Sequence, residues 1–300
     1  MPVSDATPRS VGAIAPPDGP TLVVADWLSE RAQALLRARG VSFIDATGNT
    51  EIGLSEPGLF VRTQGARRNP SPQPTKGPSL RGPKAWALLR TLAEVVPPVG
   101  VRELAEAVDV DAGYVSRVLS VLEQELLVTR APRGPVTEVE WEGMLRRGAS
   151  TYALFDSNKT CTWIARAGPE RLLADFAGKR TGRWAITGSI AASRLAPVAA
   201  PEVAVIYAEH PDRLALAGRL LPATSGANVV VAEPYDPIVF ERTVSSGVDT
   251  YASTAQVALD CLTGNGRMPA EGEAVLAWMR KNERRWRSAS IDPRRKIHSA

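Results

Sequence analysis

Three hundred residues exceed what one small core needs and suit two or three domains. With 44% apolar and 23% charged residues the composition is that of a globular protein, and Pro, Arg or Asp interrupts every apolar run before it could span a bilayer. The net charge of +4 is uneven: residues 60–135 carry +4, residues 280–300 carry +6 and the remainder is acidic. That asymmetry suits a polyanion partner, although charge runs also serve as solvated faces.

The opening "MPVSDATPRSVGAIAPPDGP" lacks a basic region followed by an apolar block, so it is not a secretory signal and reads as a disordered lead over 1–20. "TLVVADWLSERAQALLRARG" predicts a helix with Leu28, Ala32, Leu35 and Leu36 at helical spacing, ending at Gly40, with Ser29 able to cap a shorter version. "VSFIDATG" and "NTEIGL" predict a hairpin around Gly48-Asn49, and "GLFVRTQG" a third strand. Residues 21–66 thus form a small α+β module. "ARRNPSPQPTKGPS", rich in Pro and without large apolar residues, marks a linker over 67–79.

Residues 80–147 predict three helices and a hairpin. "GPKAWALLRTLAEVV" places Trp86, Leu89, Leu92 and Ala93 on one side and stops at Pro97-Pro98. "VRELAEAV" is a short second helix with Leu104 and Ala105 inward. "DVD" makes a turn in which Asp111 is an N-cap for a third helix. There Val115, Val118, Leu119, Leu122 and Leu126 keep helical spacing and face the core. The opposite face, Gly113, Tyr114, Ser116, Arg117, Ser120 and Gln124, is small, polar and free of acid until Glu123. "LLVTRAPRGPVTEVEW" follows as strand, turn and strand, with Arg130 and Arg133 at the turn. Two helices at a sharp turn followed by such a hairpin are the winged helix-turn-helix pattern. Its third helix can enter a major groove about 12 Å wide, where Arg pairs in bidentate fashion with guanine. On this reading Tyr114, Ser116, Arg117 and Ser120 face the groove, Arg130 and Arg133 serve the wing, and Arg102 and Lys84 reach phosphates. One small domain of this kind seldom supplies enough contacts alone, so a homodimer on double-stranded DNA is expected. A winged helix used only for protein contact satisfies the same pattern.

From 148 to 287, β runs ("RWAIT", "EVAVIY", "ANVVVAEP") alternate with helical runs ("SIAASRLA", "DRLALAGRLL", "TAQVALDCLTG"), predicting an α/β module suited to a protein partner or a regulatory role. A last helix, "PAEGEAVLAWMRKNERRWR", closes in basic residues as the helix dipole prefers. The basic tail, 288–300 with the helix end before it, is either a second DNA-contacting arm with Trp286 able to stack, or a solvated end. Cys161 and Cys261 sit in no paired motif, which predicts two buried thiols in a reducing cytoplasm.

Chemistry is sparse. Gly188-Ser189 followed by Glu202 resembles the nucleotidyltransferase layout of Gly-Ser on a helix start and two acids on the next strand, but Ala204 stands where the second acid is needed. A surface Glu202 after an ordinary helix start is the simpler expectation, or a degenerate copy of that fold. Asp45 with "LFVRTQG" resembles the layout of restriction-endonuclease-like nucleases, yet Val61, Arg62 and Thr63 provide no carboxylate, and Asp45 more simply supports a turn. His210 and His298 are isolated, and no glycine-rich phosphate loop appears. The expectation is an α+β multi-domain, non-enzymatic chain with no metal and no cofactor.

Taken in order, "RARGVSFIDATGNTEI" with Asp45, Gly48 and Asn49, "VRELAEAVDVDAGYVSRVLSVLEQELLVTRAPRG", "WAITGSIAASRLAP" and "GRMPAEGEAVLAWM" give a layout over most of 25–287. It resembles the AbiEi-type antitoxins and regulators of type IV toxin–antitoxin systems, and more closely the actinobacterial winged helix-turn-helix regulators related to them. The resemblance implies a DNA-binding domain that represses or otherwise regulates transcription, and a C-terminal domain for partner contact. In the toxin–antitoxin members that partner is a nucleotidyltransferase-like toxin.

Overall fold

The computed structural model describes residues 6–14, 18–67, 69–71, 80–132, 134–168, 172, 176, 181–247 and 249–291, with the backbone of 297–298. It is mixed α and β, with three sheets and two apolar cores among the described residues.

The smaller core belongs to the N-terminal module. α1 (Pro8–Gly12) precedes β1 (Leu22–Ala25), α2 (Glu30–Ala38), β2 (Ser42–Asp45), β3 (Thr50–Leu54) and β4 (Leu59–Thr63), and the sheet order is β1-β2-β3-β4. β1 pairs with β2 in parallel and the rest are antiparallel. Val11, Val23, Leu28, Leu36 and Phe43 close the core beneath the two helices. The long helix expected from Thr21 is therefore divided. "LVVA" suits a period of two as well as a helix, and pairing with β2 decides for a strand with Val23 and Ala25 inward. The helix begins only at Ser29, whose hydroxyl accepts from the Ala32 N–H at 3.2 Å. Nor is the lead wholly disordered, since α1 buries Val11 completely. Residues 1–5 and 15–17 of the lead, and 68 and 72–79 of the linker, lie outside the described residues.

The larger core runs from Leu80 to Trp286. α3 (Pro83–Glu94), α4 (Val101–Ala107) and α5 (Ala112–Gln124) are followed by the antiparallel pair β5 (Val128–Arg130) and β6 (Val136–Val139), then by α6 (Trp141–Ala149). Between α3 and α4, Val99 exchanges backbone hydrogen bonds with Val136 at 3.1 and 2.9 Å, adding a one-residue rung to the hairpin. α3 is buried on every side from Ala85 to Glu94, not along one stripe. Its second flank is covered by the C-terminal unit.

That unit contains α7 (Leu154–Ser157), β7 (Lys159–Ile164), β8 (Trp184–Thr187), α8 (Gly188–Leu195), β9 (Ala204–Ala208), α9 (Pro211–Ala217), β10 (Leu221–Pro222), β11 (Val229–Glu233), β12 (Val244–Ser246) and β13 (Asp249–Tyr251). α10 (Thr254–Leu262), α11 (Met268–Lys281), α12 (Glu283–Trp286) and β14 (Ile297–His298) complete it. The mixed sheet has the order β10-β7-β11-β9-β8-β13-β12-β14. α10 packs on α8 and α11 and also on α3 and α6, so the boundary expected at 147/148 does not divide the core.

Polar groups are shared across the same junction. Trp86 Nε1 donates to Gln256 at 3.3 Å, and Gln256 donates to Asp260 at 2.9 Å. Asp260 also accepts from Thr187 at 2.6 Å, Tyr152 at 2.9 Å and Tyr207 at 3.0 Å. Complete burial pushes its carboxyl up to about 6, against the pull of these four donors. Arg90 and Arg242, both buried, flank the buried Glu94 at 3.5 and 3.4 Å.

The C-terminal segment returns to the same region. Trp286 is 1% exposed and meets Trp141 edge-on at 5.0 Å, so it is core and not free to stack on a base. Arg287 donates to the carbonyls of Ala93 and Val95 at 3.0 and 2.7 Å, closing the end of α3. Residues 292–296 of the tail lie outside the described residues. Of the two thiols expected to be buried, Cys261 is, whereas Cys161 is exposed on β7. No helix among the described residues is long and apolar enough to cross a membrane.

Candidate nucleic-acid interface

The geometry around α5 starts with its two ends. α4 closes in a Schellman turn: Asp109 takes φ +51°, its N–H reaches the Glu106 carbonyl at 3.4 Å, and the Val110 N–H reaches Ala105 at 3.0 Å. Aspartate tolerates this left-handed conformation because its short polar side chain does. Two residues later Asp111 caps α5, its Oδ1 accepting from the Tyr114 N–H at 3.1 Å. The chain therefore turns sharply between the helices, with the end of α4 closed and the Tyr114 N–H of α5 capped. Val115, Val118, Leu119 and Leu122 are fully buried. Leu126 is not: helix geometry ends at Gln124, Leu126 has φ +55°, and it is 37% exposed. Leu127 takes the core place instead, because the left-handed residue rotates the following side chain inward.

The outward flank of α5 holds the expected polar set. Arg117 and Ser120 are exposed, Ser116 and Tyr114 half-buried. Tyr114 packs its ring on the core, and burial raises its phenol above the usual range against the charge of Arg117, so the hydroxyl is a proton donor at neutral pH. Arg117 makes no hydrogen bond or ion pair to a described residue and leans back over Gly113, whose missing side chain leaves the room: a Cβ there would stand 3.4 Å from Arg117 Nη1 and 2.7 Å from Asp111 Oδ1. Ser120 Oγ donates to the Ser116 carbonyl at 3.0 Å.

The hairpin is braced against this flank. Arg130 forms an ion pair with Glu123 and donates to Ser120 Oγ at 3.4 Å. Its charge is thus turned back onto α5 rather than outward. Ser116, Glu123, Arg130, Pro132 and Gly134 line an open groove of about 480 Å³ between α5 and the hairpin. Arg133, between β5 and β6 in sequence, lies outside the described residues. Arg102 on α4 lines a second open groove together with Glu106, Asp109 and Asp111, whose carboxylates offset its charge. Lys84 donates to the Val108 carbonyl at 3.4 Å, beside the Schellman turn. The structure therefore gathers Tyr114, Ser116, Arg117, Ser120 and Arg130 on one surface and leaves Arg102 and Lys84 at the turn on its flank. Two features escaped sequence reading. Glu123 as the partner of Arg130 lies seven residues away and only the hairpin brings it near, and the Val99 rung has no local signal at all.

The N-terminal module sits against the far end of α5. Arg9 donates to the Glu123 carbonyl at 3.3 Å, Arg31 to the Leu126 carbonyl at 3.1 Å, and Arg31 pairs with Glu140 at 2.8 Å. Its Asp45 oxygens are filled by local donors: the Leu28 N–H at 3.0 Å, Asn49 Nδ2 at 2.8 Å and the Thr47 hydroxyl at 2.7 Å. Although burial works the other way, these bonds hold its carboxyl below the ordinary value. The other constellation considered is likewise used internally. Ser189 donates to the buried Glu271 at 2.6 Å, and Glu202 stands on the surface near Arg267.

A family model described as HVO_A0114 matches residues 82–142, from the start of α3 to the start of α6. No curated protein matches the chain. No solved structure matches it either.

Proposed function

We propose that α3 to β6 form a winged helix-turn-helix, that α5 is a recognition helix lying in the major groove of double-stranded DNA, and that the chain regulates transcription by this binding, without catalysis. The observation that carries the reading is the surface around Arg117. An exposed guanidinium with no hydrogen bond or ion pair among the described residues stands among Tyr114, Ser116 and Ser120 on the outer flank of a helix whose other side is core. Such a flank is the donor-rich, acid-poor strip that guanine O6 and N7 accept from. The match of the family model over 82–142 supports treating this segment as a recurring unit. The wing then works through its tip and Arg133, with Arg130 as a brace.

Fluorescence anisotropy of a labelled duplex, titrated between low and moderate salt, tests the reading. Binding whose logarithm falls linearly with the logarithm of salt is expected, with a slope lowered by about one when Arg117 is replaced by Ala. No binding to any duplex at low salt overturns it. The protein-binding alternative, an antitoxin-like role through residues 148–287, is favoured by no single geometric observation.

A further inference from the structure

The junction between α5 and the hairpin is strained. α5 ends in a Schellman turn, in which the Leu127 N–H reaches the Leu122 carbonyl at 2.8 Å and the Leu126 N–H the Glu123 carbonyl at 3.2 Å. The residue that must then turn left-handed is Leu126, at φ +55°. Glycine usually fills that place, because a Cβ in this conformation crowds the following carbonyl.

The N-terminal module supports this turn from outside. Arg31 of α2 donates from Nη2 to the Leu126 carbonyl at 3.1 Å, and its Nη1 pairs with Glu140 at 2.8 Å. Those partners are the chain entering the hairpin and the chain leaving it, since Leu126 lies just before β5 and Glu140 directly follows β6. Glu140 is itself fixed at both ends: its N–H donates to the Leu127 carbonyl at 2.9 Å, and its carboxylate accepts from the Gly143 N–H at 2.9 Å. Gly12 of α1 packs on the Leu126 side chain so closely that a Cβ would stand 2.6 Å from Leu126 Cδ1. Arg9 of α1 donates to the Glu123 carbonyl at 3.3 Å, on the residue whose carboxylate holds Arg130.

We infer that the N-terminal module is a clamp, and that its Arg31 is a positioning residue that sets the hairpin on α5 without touching DNA. One guanidinium spans both ends of the hairpin's base with charge-assisted bonds. Its removal lets the left-handed turn relax, and with it the groove between α5 and the hairpin. The inference rests on the DNA-binding reading for its consequence, whereas the clamp itself is measurable without DNA.

Amide hydrogen exchange tests the clamp on wild type, Arg31→Ala and Arg31→Met, the last of which keeps the apolar stem. In both variants the hairpin amides of Glu140 and Ala131, which donate to Leu127 and Pro135, should exchange about tenfold faster, while those of α3 do not change. In a Leu126→Gly background the turn needs less support, and Arg31→Ala should speed exchange less. Unchanged hairpin exchange in Arg31→Ala overturns the inference. So does an effect of Ala that Met does not share, or one undiminished by Leu126→Gly. In anisotropy titrations Arg31→Ala should weaken duplex binding severalfold at an unchanged salt slope. Unchanged affinity overturns the positioning role, and so does a slope lowered by about one, which would make Arg31 a phosphate contact. Faster hairpin exchange in a protein that binds no duplex would support the clamp and sink the functional reading.

Discussion

At the scale of single residues, the interface depends on a glycine and a cap. Gly113 sits in the first turn of α5, where alanine would ordinarily stabilise a helix by about 1 kcal/mol. Here a Cβ would crowd Asp111 Oδ1, the oxygen that caps α5, at 2.7 Å and come into contact with Arg117 Nη1 at 3.4 Å. Gly113→Ala is therefore expected to cost DNA affinity severalfold with little change in melting temperature, measured by anisotropy and calorimetry side by side. Asp111→Ala removes the cap and should destabilise the domain by about 1 kcal/mol, seen as a lower melting temperature. The cap, the core positions of α5 and its polar flank were legible because each obeys a local rule of spacing or residue type. Leu126 was misplaced by the same rule, since periodicity cannot show that the helix stops two residues earlier and leaves a left-handed residue behind.

Among elements, the hairpin and α5 are held together by Arg130 and Glu123. Glu123 masks the charge of Arg130. Glu123→Ala should release an arginine beside the groove, tightening non-specific binding and raising the salt slope by about one, while Arg130→Ala should weaken binding by leaving Glu123 bare. Anisotropy over a range of salt distinguishes the two, and an equal effect of both substitutions would contradict this role. Elements formed by non-local pairing were the ones sequence reading lost. β7, "KTCTWI", alternates too weakly to signal a strand, and it is set in place by antiparallel β11 and β10. The strand β1 was hidden inside a helical pattern until β2 came alongside.

On the scale of the whole molecule, α3 is the shared beam. It belongs by sequence to the three-helix segment over 80–147 and is also covered by α10 of the C-terminal unit. Glu94→Ala would leave Arg90 and Arg242 buried side by side without the carboxylate between them, and should cost about 3–5 kcal/mol. Asp260 gives the junction a pH dependence. Its pKa is about 6 in the fold against 3.8 for an ordinary aspartate. Between those values the folded chain keeps a proton that the unfolded chain has released. This group's contribution to stability is therefore largest below about 4, falls as pH rises to about 6, and is level above. Wild type should lose stability relative to Asp260→Asn over that window as pH rises, and a difference independent of pH would contradict the assignment. Composition and alternation gave the α+β class correctly, but not that the last two units share one core. Nothing in "GPKAWALLRTLAEVV" says which neighbour will cover its second flank.

The central claim is that α5 reads base sequence through Arg117. Selection of bound duplexes from a random library at moderate salt, run in parallel with wild type and Arg117→Ala, tests it most directly. A defined two-fold motif in wild type, lost or relaxed at one base position in each half-site by Arg117→Ala, is the predicted result, since one bidentate contact discriminates by about 1–3 kcal/mol. The same enrichment in both proteins, or none in either with only salt-sensitive residual binding, would contradict it.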